Sequence, residues 1–152
     1  MIRRKHNKNQ EIHYNRTTKK PAPKKTSRSK IVQKLDTVFS LYVRTKHAKN
    51  GVCTCCTCGR KFEIKKIQAG HFQSRKHYST RWDELNVHPQ CPKCNVFSQG
   101  EQYEYAKFLD RTYGEGTADS LVEKAREIEK FSTHELEALI EHYQQELKRL
   151  SR

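Results

Sequence analysis

Apolar residues recur at helical spacing in two long stretches, one in the first half of the chain and one at its end. The first stretch follows Ser29 and contains Ile31, Leu35, Val38, Phe39, Tyr42 and Val43. It predicts an amphipathic helix over 30–49, with Ser29 as its N-cap and Asn50-Gly51 as a left-handed end. The second stretch follows the predicted capping box Ser132–Glu135 and predicts a last helix over 133–150. Its apolar stripe is Leu136, Leu139, Ile140, Tyr143, Leu147 and Leu150.

The middle of the chain has shorter and weaker patterns. Residues 62–64 and 67–69 alternate around Lys65-Lys66, which predicts a short hairpin within 52–70, with a polar loop over 72–85. A second helix is predicted from Pro92 or Lys93 to about Leu109, broken or bent at Gly100. A turn over 113–116 precedes a helix over 118–129. This helix and the last one together suggest a helical hairpin appended to the core.

Charge divides the chain into unlike parts. The 152 residues carry 31 Lys+Arg and 17 Asp+Glu, a net charge of +14, and only 34 % of them are hydrophobic. Residues 1–30 hold eleven of the basic residues and one acid, Glu11, whereas residues 111–152 have more acids than bases. We therefore predict a disordered basic arm (1–28), a core with a leading helix (29–114) and the C-terminal helical hairpin (115–152).

The large positive charge favours a polyanionic partner, and nucleic acid is the usual one. A solubilising tail is the alternative interpretation of the basic arm. No run reaches the roughly 18 apolar residues of a membrane helix, and no apolar signal segment follows Met1, so we expect a cytoplasmic protein without a membrane partner. The candidate phosphate contacts of the arm are Arg3, Arg4, Lys5, Lys19, Lys20, Lys24 and Lys25.

The six cysteines lie in two groups, Cys53, Cys55, Cys56 and Cys58, then Cys91 and Cys94. In a cytoplasmic protein such groups bind metal more often than they form disulfides, and two Cys-x-x-Cys pairs can hold Zn²⁺ between four thiolates. Both Cys53/Cys56 and Cys55/Cys58 have the required spacing, but Gly59 permits the positive φ that closes a zinc-binding turn after Cys58. We therefore favour Cys55/Cys58 with Cys91/Cys94. Four thiolates fill the coordination shell, so this zinc is predicted to be structural.

The two cysteine pairs enclose a further pattern, in which His71 and Asn86 lie between the pairs and Asn95 follows the second pair directly. This order resembles the zinc-containing HNH, or ββα-metal, nucleases. The resemblance implies an α+β fold, with a small zinc-clamped ββα-metal (HNH-like, treble-clef) core and flanking α-helices. It makes His71 the candidate general base, because imidazole titrates near neutrality, and Asn86 the residue that orients it. Asn95, together with His71, is the candidate ligand of a catalytic Mg²⁺ or Mn²⁺.

A longer string is more specific: Ala69-Gly70-His71-Phe72, then Arg81-Trp82-Asp83-Glu84-Leu85-Asn86-Val87-His88-Pro89-Gln90-Cys91-Pro92-Lys93-Cys94-Asn95, then Gly100. It resembles the NinG/Rap family of lambdoid phage recombination endonucleases, and the similarity extends over about 30–150. The resemblance implies a phage- or prophage-encoded, metal-dependent endonuclease in the bacterial cytosol that acts on D-loops and Holliday junctions. It places the site on the string itself, including His88 as a metal ligand or a loop-holding residue. Two-fold junction cleavage would favour a homodimer, with the C-terminal hairpin as candidate surface, and other recombination proteins are candidate partners.

The sequence departs from the nuclease pattern at two places. Gly70 precedes the base where the class often has a metal-binding Asp, and Ser98-Gln99 stands where many members carry His or Lys. The sequence alone does not choose between four further candidate metal ligands, Asp83, Glu84, His88 and Glu101.

Two arginines near the base, Arg75 and Arg81, are candidate DNA contacts, although a solvated loop charge also accounts for Arg75. The main alternative function is a non-catalytic zinc module that binds DNA and recruits recombination partners. An RNA-binding zinc protein is a weaker alternative, with Tyr78 and Trp82 as the aromatic residues near the site.

Overall fold

The structure is a computed structural model that describes residues 26–151, so the candidate arm contacts at positions 3–25 lie outside the described residues. It is a mixed α+β fold with two pairs of short strands. Among the described residues, no helix is long and apolar enough to cross a membrane. In chain order the elements are α1 (Arg28–Lys46), β1 (Val52–Thr54), β2 (Lys61–Glu63), β3 (Gln68–His71), α2 (Tyr78–Arg81), β4 (Val87–Gln90), a single π-helical turn (Lys93–Phe97), α3 (Gln102–Tyr113), α4 (Thr117–Lys124) and α5 (Thr133–Leu150).

Helices α1 and α5 form the most extensive contact between elements, and their apolar stripes meet as the sequence predicts. The rings of Phe39 and Tyr143 lie 4.8 Å apart at the centre of this contact. The predicted capping box is confirmed: the Ser132 hydroxyl accepts from the Glu135 amide at 3.2 Å, and the Glu135 carboxylate accepts from the Ser132 amide at 2.6 Å. These caps satisfy amides that the first helical turn leaves free.

The ends of α1 differ from the prediction. The helix begins at Arg28 with Ser27, not Ser29, in the N-cap position, and it ends at Lys46 rather than at residue 49. Asn50 and Gly51 do adopt positive φ, of 51° and 75°. They form the tight turn that leads into β1 instead of the helix end, because Lys49 already bridges to Val52.

The predicted hairpin within 52–70 is wrong in its pairing. β2 pairs with β1, with Cys53 opposite Phe62, whereas β3 pairs with the more distant β4. The segment predicted as a polar loop therefore connects β3 to β4, and it contains the short helix α2. The alternation within residues 62–69 is local, so it cannot reveal that the partner of β3 lies about twenty residues further along the chain.

β3 and β4 lie between the two helical parts of the fold. Their register places His71 opposite Val87 and Gly70 opposite His88. Because side chains alternate across a strand, Val87 packs into the α1–α5 cluster while His88 lies against the aromatic residues of α3. His71 and His88 are therefore directed to opposite faces of the strand pair.

The predicted helix after Pro92 is broken at Gly100, as expected. The π-helical turn ends at Phe97, and α3 then runs from Gln102 to Tyr113, four residues beyond the predicted end. α4 is shorter than predicted and ends at Lys124.

The two C-terminal helices do not form the predicted hairpin. α4 packs against α3 through Ala118 and Leu121, whereas α5 packs against α1. Each of these helices buries its apolar face on an element that precedes it, so neither needs the other as its main partner. The proposed boundaries between the three parts remain predictions.

Candidate zinc centre and active-site cleft

Four cysteines come together at the end of the strand pairs: Cys55, Cys58, Cys91 and Cys94. Their sulfur atoms all lie within 4.8 Å of one another, and the Sγ atoms of Cys58 and Cys91 are 3.9 Å apart. A tetrahedral ion with Zn–S bonds of about 2.3 Å would separate two sulfurs by about 3.8 Å. The cluster can therefore hold a metal ion such as zinc, and its members are the four cysteines that the sequence favours.

Local backbone geometry prepares this cluster. Gly59 has a φ of +71°, and its amide donates to the Cys55 carbonyl at 2.9 Å, which closes the turn between the first two cysteines. The Cys91 amide donates to the Cys55 sulfur at 3.3 Å. These bonds bring the β1–β2 turn against the segment that follows β4.

The ionisation of the cluster also points to a cation. Burial raises the pKa of Cys55, but hydrogen bonds from Thr57 and from the amides of Cys58 and Cys91 outweigh it and lower that pKa to about 6. The pKa of Cys94 is raised to about 12, mainly by burial. The Cys55 thiolate therefore forms readily, whereas burial disfavours the Cys94 thiolate. A divalent cation would stabilise all four thiolates together.

Cys53 and Cys56 lie outside the cluster. Cys53 is buried, and its thiol donates to the Arg44 carbonyl at 3.1 Å, which ties β1 to the end of α1. Cys56 packs against the apolar residues shared by α3 and α4, and its amide donates to the Pro89 carbonyl at 2.9 Å. Packing within the fold accounts for both residues.

A cleft of about 510 Å³ opens between α1, β3 and the π-helical turn. His71 and Asn95 both line it, so the structure brings these two predicted site residues together. The cleft is basic, with Arg44, Lys65 and Arg75 in its lining. Arg75 and Lys65 are exposed to solvent, whereas the Arg44 guanidinium is anchored on the Ile64 carbonyl at 2.9 Å.

His71 is held in one orientation at the end of β3. Its Nε2 atom lies 3.0 Å from the backbone carbonyl oxygen of Arg81, which can only accept a hydrogen bond. The neutral ring therefore carries its proton on Nε2 and has a free lone pair on Nδ1. Burial, together with a smaller effect of the nearby Arg75 cation, lowers the pKa of His71 to about 4. The ring is accordingly neutral at pH 7.

An acidic residue outside the sequence motifs supports this arrangement. Asp36 on α1 accepts from the Arg81 guanidinium twice, at 3.0 and 2.6 Å, and from the Trp82 indole at 2.9 Å. The Arg81 and Asp36 side chains are only 16 % and 18 % exposed. Asp36 lines the cleft and fixes the backbone segment whose carbonyl holds His71.

Arg81 is consequently not available as the DNA contact that the sequence suggested. Its guanidinium is paired with Asp36, donates to the Arg75 carbonyl at 2.9 Å and lies 5.3 Å from the ring centroids of Tyr78 and Trp82. A side chain with these partners acts inside the fold. Trp82 is itself buried in the α1–α5 cluster, so it offers no stacking surface for RNA.

Asn86 does not orient the His71 ring directly, contrary to the expectation from the nuclease resemblance. It is fully buried, and its amide group exchanges hydrogen bonds with the backbone of Gln73 at 2.6 and 3.0 Å and donates to the Thr80 carbonyl at 2.9 Å. These contacts close the loop between β3 and α2. Asn86 therefore shapes the loop that carries the Arg81 carbonyl.

His88 has a structural role and lies away from the cleft. It is fully buried, with Nε2 2.7 Å from the Tyr113 hydroxyl and Nδ1 3.3 Å from the Tyr105 hydroxyl. Burial lowers its pKa to about 3. Both ring nitrogens of His88 are in hydrogen bonds on the α3 face, and the residue does not line the cleft that contains His71.

The other acidic candidates also lie outside the cleft lining. Asp83 pairs with Lys124 at 2.8 Å, and Glu84 accepts from Tyr42 at 3.1 Å and pairs with Lys46. Glu101 occupies the N-cap position of α3. None of the three lines the cleft beside Asn95.

The departure at Gly70 has a steric cause. A Cβ atom at this position would lie 2.2 Å from the Oε1 atom and 2.8 Å from the Cβ atom of Gln90. Gln90 is fully buried and donates to the Gly100 carbonyl at 2.7 Å, so it cannot easily move aside. Its side chain fills the space that a metal-binding Asp at position 70 would need.

Asn95 differs from these residues because one of its amide atoms remains free. Its Nδ2 group donates to the Gln68 side chain at 2.7 Å. The Oδ1 atom of this cleft residue is not used in that bond and could serve as a metal ligand. The adjacent Cys94 belongs to the thiol cluster. A metal ion in that cluster would therefore fix the residue next to Asn95.

Fold and site together define a small α+β protein with a four-cysteine cluster suited to a metal ion, next to a basic cleft that contains a histidine. Comparison with known proteins refines this class. The family model described as Bacteriophage Lambda NinG protein matches residues 2–152, and the chain belongs to this family. No solved structure is significantly similar to the chain.

Two curated relatives show the extent of the similarity. Protein ninG of Salmonella phage P22 is 31 % identical over 97 residues, which are 63 % of this chain and 47 % of that protein. Protein ninG of Escherichia phage 933W is 30 % identical with the same coverage. The chain thus spans about half the length of the curated relatives it matches.

Proposed function

We propose that the protein is a metal-dependent DNA endonuclease of the HNH, or ββα-metal, class, with His71 as its general base. One observation carries this proposal: His71 lies in a basic cleft with Nε2 committed to the Arg81 carbonyl, so that Nδ1 is free to accept a proton. The order of elements agrees with it, since β3 and β4 are followed by helical segments and flanked by the cysteine pairs. Family membership supports a role in phage recombination.

The chemistry assigned to His71 is activation of water. As the water oxygen attacks phosphorus, Nδ1 takes one of its protons, and the bond from phosphorus to the leaving sugar oxygen breaks. The leaving oxygen takes a proton from solvent. Because the pKa of His71 is about 4, the ring is in the proton-accepting form throughout the neutral range. An anionic phosphate in the cleft would raise that pKa and strengthen the base.

The cations of the cleft are assigned to the phosphodiester backbone. Arg75 and Lys65 are exposed, so their side chains can reach phosphates, whereas Arg44 contributes fixed positive charge at the base of the cleft. Phosphate contacts of this kind set affinity and position without reading sequence. The basic residues of the segment 1–25 would extend the same interaction along the DNA.

The cleft offers a catalytic Mg²⁺ or Mn²⁺ one candidate protein ligand, Asn95. Asn95 offers an amide oxygen, and Mg²⁺ commonly takes few protein ligands and completes its shell with water and substrate phosphate. Such an ion would neutralise the charge that builds on the phosphate. We assign His71 the role of the base and not that of a metal ligand.

Branched recombination intermediates are the proposed substrates, and zinc is the proposed occupant of the thiol cluster. The zinc would be structural because four thiolates leave no open position for water. The choice of D-loops and Holliday junctions rests on the family resemblance, as does the expectation of a homodimer and of other recombination partners.

A non-catalytic, zinc-containing DNA-binding protein is the second candidate. One observation favours it: among the residues that the structure describes, the single acid lining the cleft is Asp36, and it is already paired with Arg81 and Trp82. The two candidates separate in one experiment on a four-way junction and a linear duplex of the same sequence. The endonuclease predicts junction nicking in Mg²⁺ or Mn²⁺ and none in EDTA, whereas binding without nicking in every metal would establish the second candidate.

A further inference from the structure

Three exposed apolar side chains lie on the π-helical turn and at the start of α3, outside the core. The side chains of Phe97, Tyr103 and Val96 are 82 %, 75 % and 57 % exposed. Val96 also lines the cleft that contains His71. We call these three residues the apolar rim. All three lie outside the apolar clusters of the described fold, and such exposure of aromatic rings marks an interaction surface.

The backbone beneath the apolar rim is unusually constrained. The turn between Phe97 and Tyr103 contains three consecutive residues with positive φ: Gln99 at 50°, Gly100 at 88° and Glu101 at 49°. Two of them are not glycine, so this conformation costs free energy and persists only where the surroundings impose it. A backbone of this kind holds its side chains in place.

Contacts below the turn supply that constraint. The Gly100 carbonyl accepts from the buried Gln90 side chain at 2.7 Å, and the Gly100 amide donates to the carbonyl of Cys94 at 2.8 Å. Cys94 belongs to the thiol cluster. The turn that carries the apolar rim is therefore hydrogen-bonded to Gln90 and to a member of the thiol cluster, and the rim begins one residue beyond the cleft residue Asn95.

The charges around the apolar rim suit a polyanion. Lys93 is exposed in the same π-helical turn as Phe97. The Lys107 ammonium lies 4.4 Å from the Tyr103 ring centroid and is shared with Glu104 at 2.7 Å. With Lys65 and Arg75 in the cleft, these cations give this part of the described surface a positive charge that suits phosphates.

A ligand with phosphates and flat apolar faces is a nucleic acid whose bases are unstacked. In an intact duplex the faces of the bases are covered, whereas a branch point uncovers them. We infer that the apolar rim, and Phe97 above all, stacks on unpaired bases at a DNA branch and so selects branched over linear DNA. This inference rests on the proposed function, because it assigns the substrate selectivity of the same cleft.

The test measures binding in Ca²⁺ or EDTA, so that it requires no cleavage. A three-way junction with 2-aminopurine at its unpaired branch position is compared with a linear duplex of the same length. Phe97→Ala should weaken junction binding by about 5- to 150-fold, the cost of one lost stacking contact. It should leave duplex binding unchanged and abolish the change in 2-aminopurine fluorescence.

Three further variants make the test specific. Phe97→Trp should retain junction binding because it keeps a flat ring, and Phe97→Leu should lose it because it keeps only apolar volume. Ile128→Ala is the matched control, since Ile128 is apolar and 90 % exposed elsewhere on the surface. Folding of each variant is checked by circular dichroism and metal content.

The alternative occupants of the apolar rim give different results. Equal junction binding by the wild type and Phe97→Ala would overturn the inference, as would equal losses on junction and duplex. A change from dimer to monomer in Phe97→Ala, measured by sedimentation, would assign the apolar rim to a second copy of the chain instead. Phe97-dependent junction binding by a wild type that never cleaves DNA would overturn the catalytic proposal and keep this one.

Discussion

A hydrogen bond of 3.0 Å joins the His71 ring to the backbone carbonyl of Arg81, and it decides which ring nitrogen can act as a base. The carbonyl accepts from Nε2, which leaves Nδ1 as the acceptor. The side chain of Arg81 is in turn held by Asp36 from α1. A residue on the first helix thus holds the side chain of the residue whose carbonyl contacts His71 on β3.

Asp36→Asn should therefore act on His71 without touching substrate. The Asn side chain keeps the shape of Asp36 but lacks its negative charge, so it binds the Arg81 guanidinium less strongly. The Arg81 carbonyl should then lose its fixed position. We expect the free energy of unfolding to fall by about 1–3 kcal/mol. The Nε2-protonated ring of His71 should become a mixture of tautomers, measured by ¹⁵N chemical shifts of the imidazole.

Asp119→Asn is the control for that measurement, because it alters one carboxylate on an exposed position of α4. It should leave both the stability and the His71 tautomer unchanged. If Asp36→Asn lowered stability but left the tautomer intact, Asp36 would be a packing residue only, and its positioning role would be refuted.

The zinc content should depend on the four clustered cysteines and not on Cys53 or Cys56. The purified protein should contain one zinc per chain, and Cys91→Ser should lose it and unfold, because structural zinc contributes folding free energy directly. Cys53→Ser should retain a full equivalent of zinc despite being in the same cysteine group. Elemental analysis after dialysis makes the comparison, and a folded Cys91→Ser with normal zinc would contradict the assignment.

Acid should destabilise the fold through two histidines with lowered pKa values, the half-buried His71 and the buried His88. The pKa of His71 is about 4 and that of His88 is about 3, whereas a histidine in the unfolded chain has a pKa of about 6.5. Below pH 6.5 the unfolded state binds more protons, so stability falls as the pH decreases toward the folded-state values. Between pH 7 and 5 each ring should cost about 2 kcal/mol.

Nuclear magnetic resonance separates this effect from acid release of a metal ion. Both rings should remain neutral at pH 5 while the protein stays folded, as judged from their carbon-bound proton shifts. Protonation of either ring near pH 6.5 in the folded protein would show that it is not buried as described.

Deletion of residues 1–25 should reduce the salt dependence of DNA binding. This segment carries nine Lys/Arg and one acid. If all nine contacted phosphates, the slope of log affinity against log salt would fall in magnitude by about 8, and fewer contacts give a smaller change. Cleavage of saturating DNA should remain. Identical slopes for the two proteins would show that the segment makes no phosphate contacts.

The sequence predicted the parts of the fold that depend on neighbouring residues or on residue types with one dominant role, such as paired cysteines. The stripes of α1 and α5, the capping box at Ser132 and the break at Gly100 follow from periodicity and backbone preference within one segment. The four clustered cysteines followed from spacing and from the need for positive φ at Gly59. Each of these signals involves a few neighbouring residues.

What the sequence could not predict depends on distant pairing. The partner of β3 lies beyond a loop of fifteen residues, and only its register shows that His88 lies on the opposite face from His71. The role of Asp36 requires the contact between α1 and α2. Asp36 lies beside the buried stripe of α1, within a Lys34-Leu35-Asp36 segment that also resembles the family, but an acid at the border of an apolar stripe usually belongs to the solvated face of the helix.

The role of His71 as the base of a DNA-cleaving site can be measured by single-turnover cleavage of a four-way junction in Mg²⁺. His71→Ala should lower the cleavage rate by about 10²- to 10⁴-fold while junction affinity stays within about twofold of the wild type. His134→Ala, which alters an exposed histidine at the start of α5, should cleave at the wild-type rate. Equal cleavage by the wild type and His71→Ala would contradict the account.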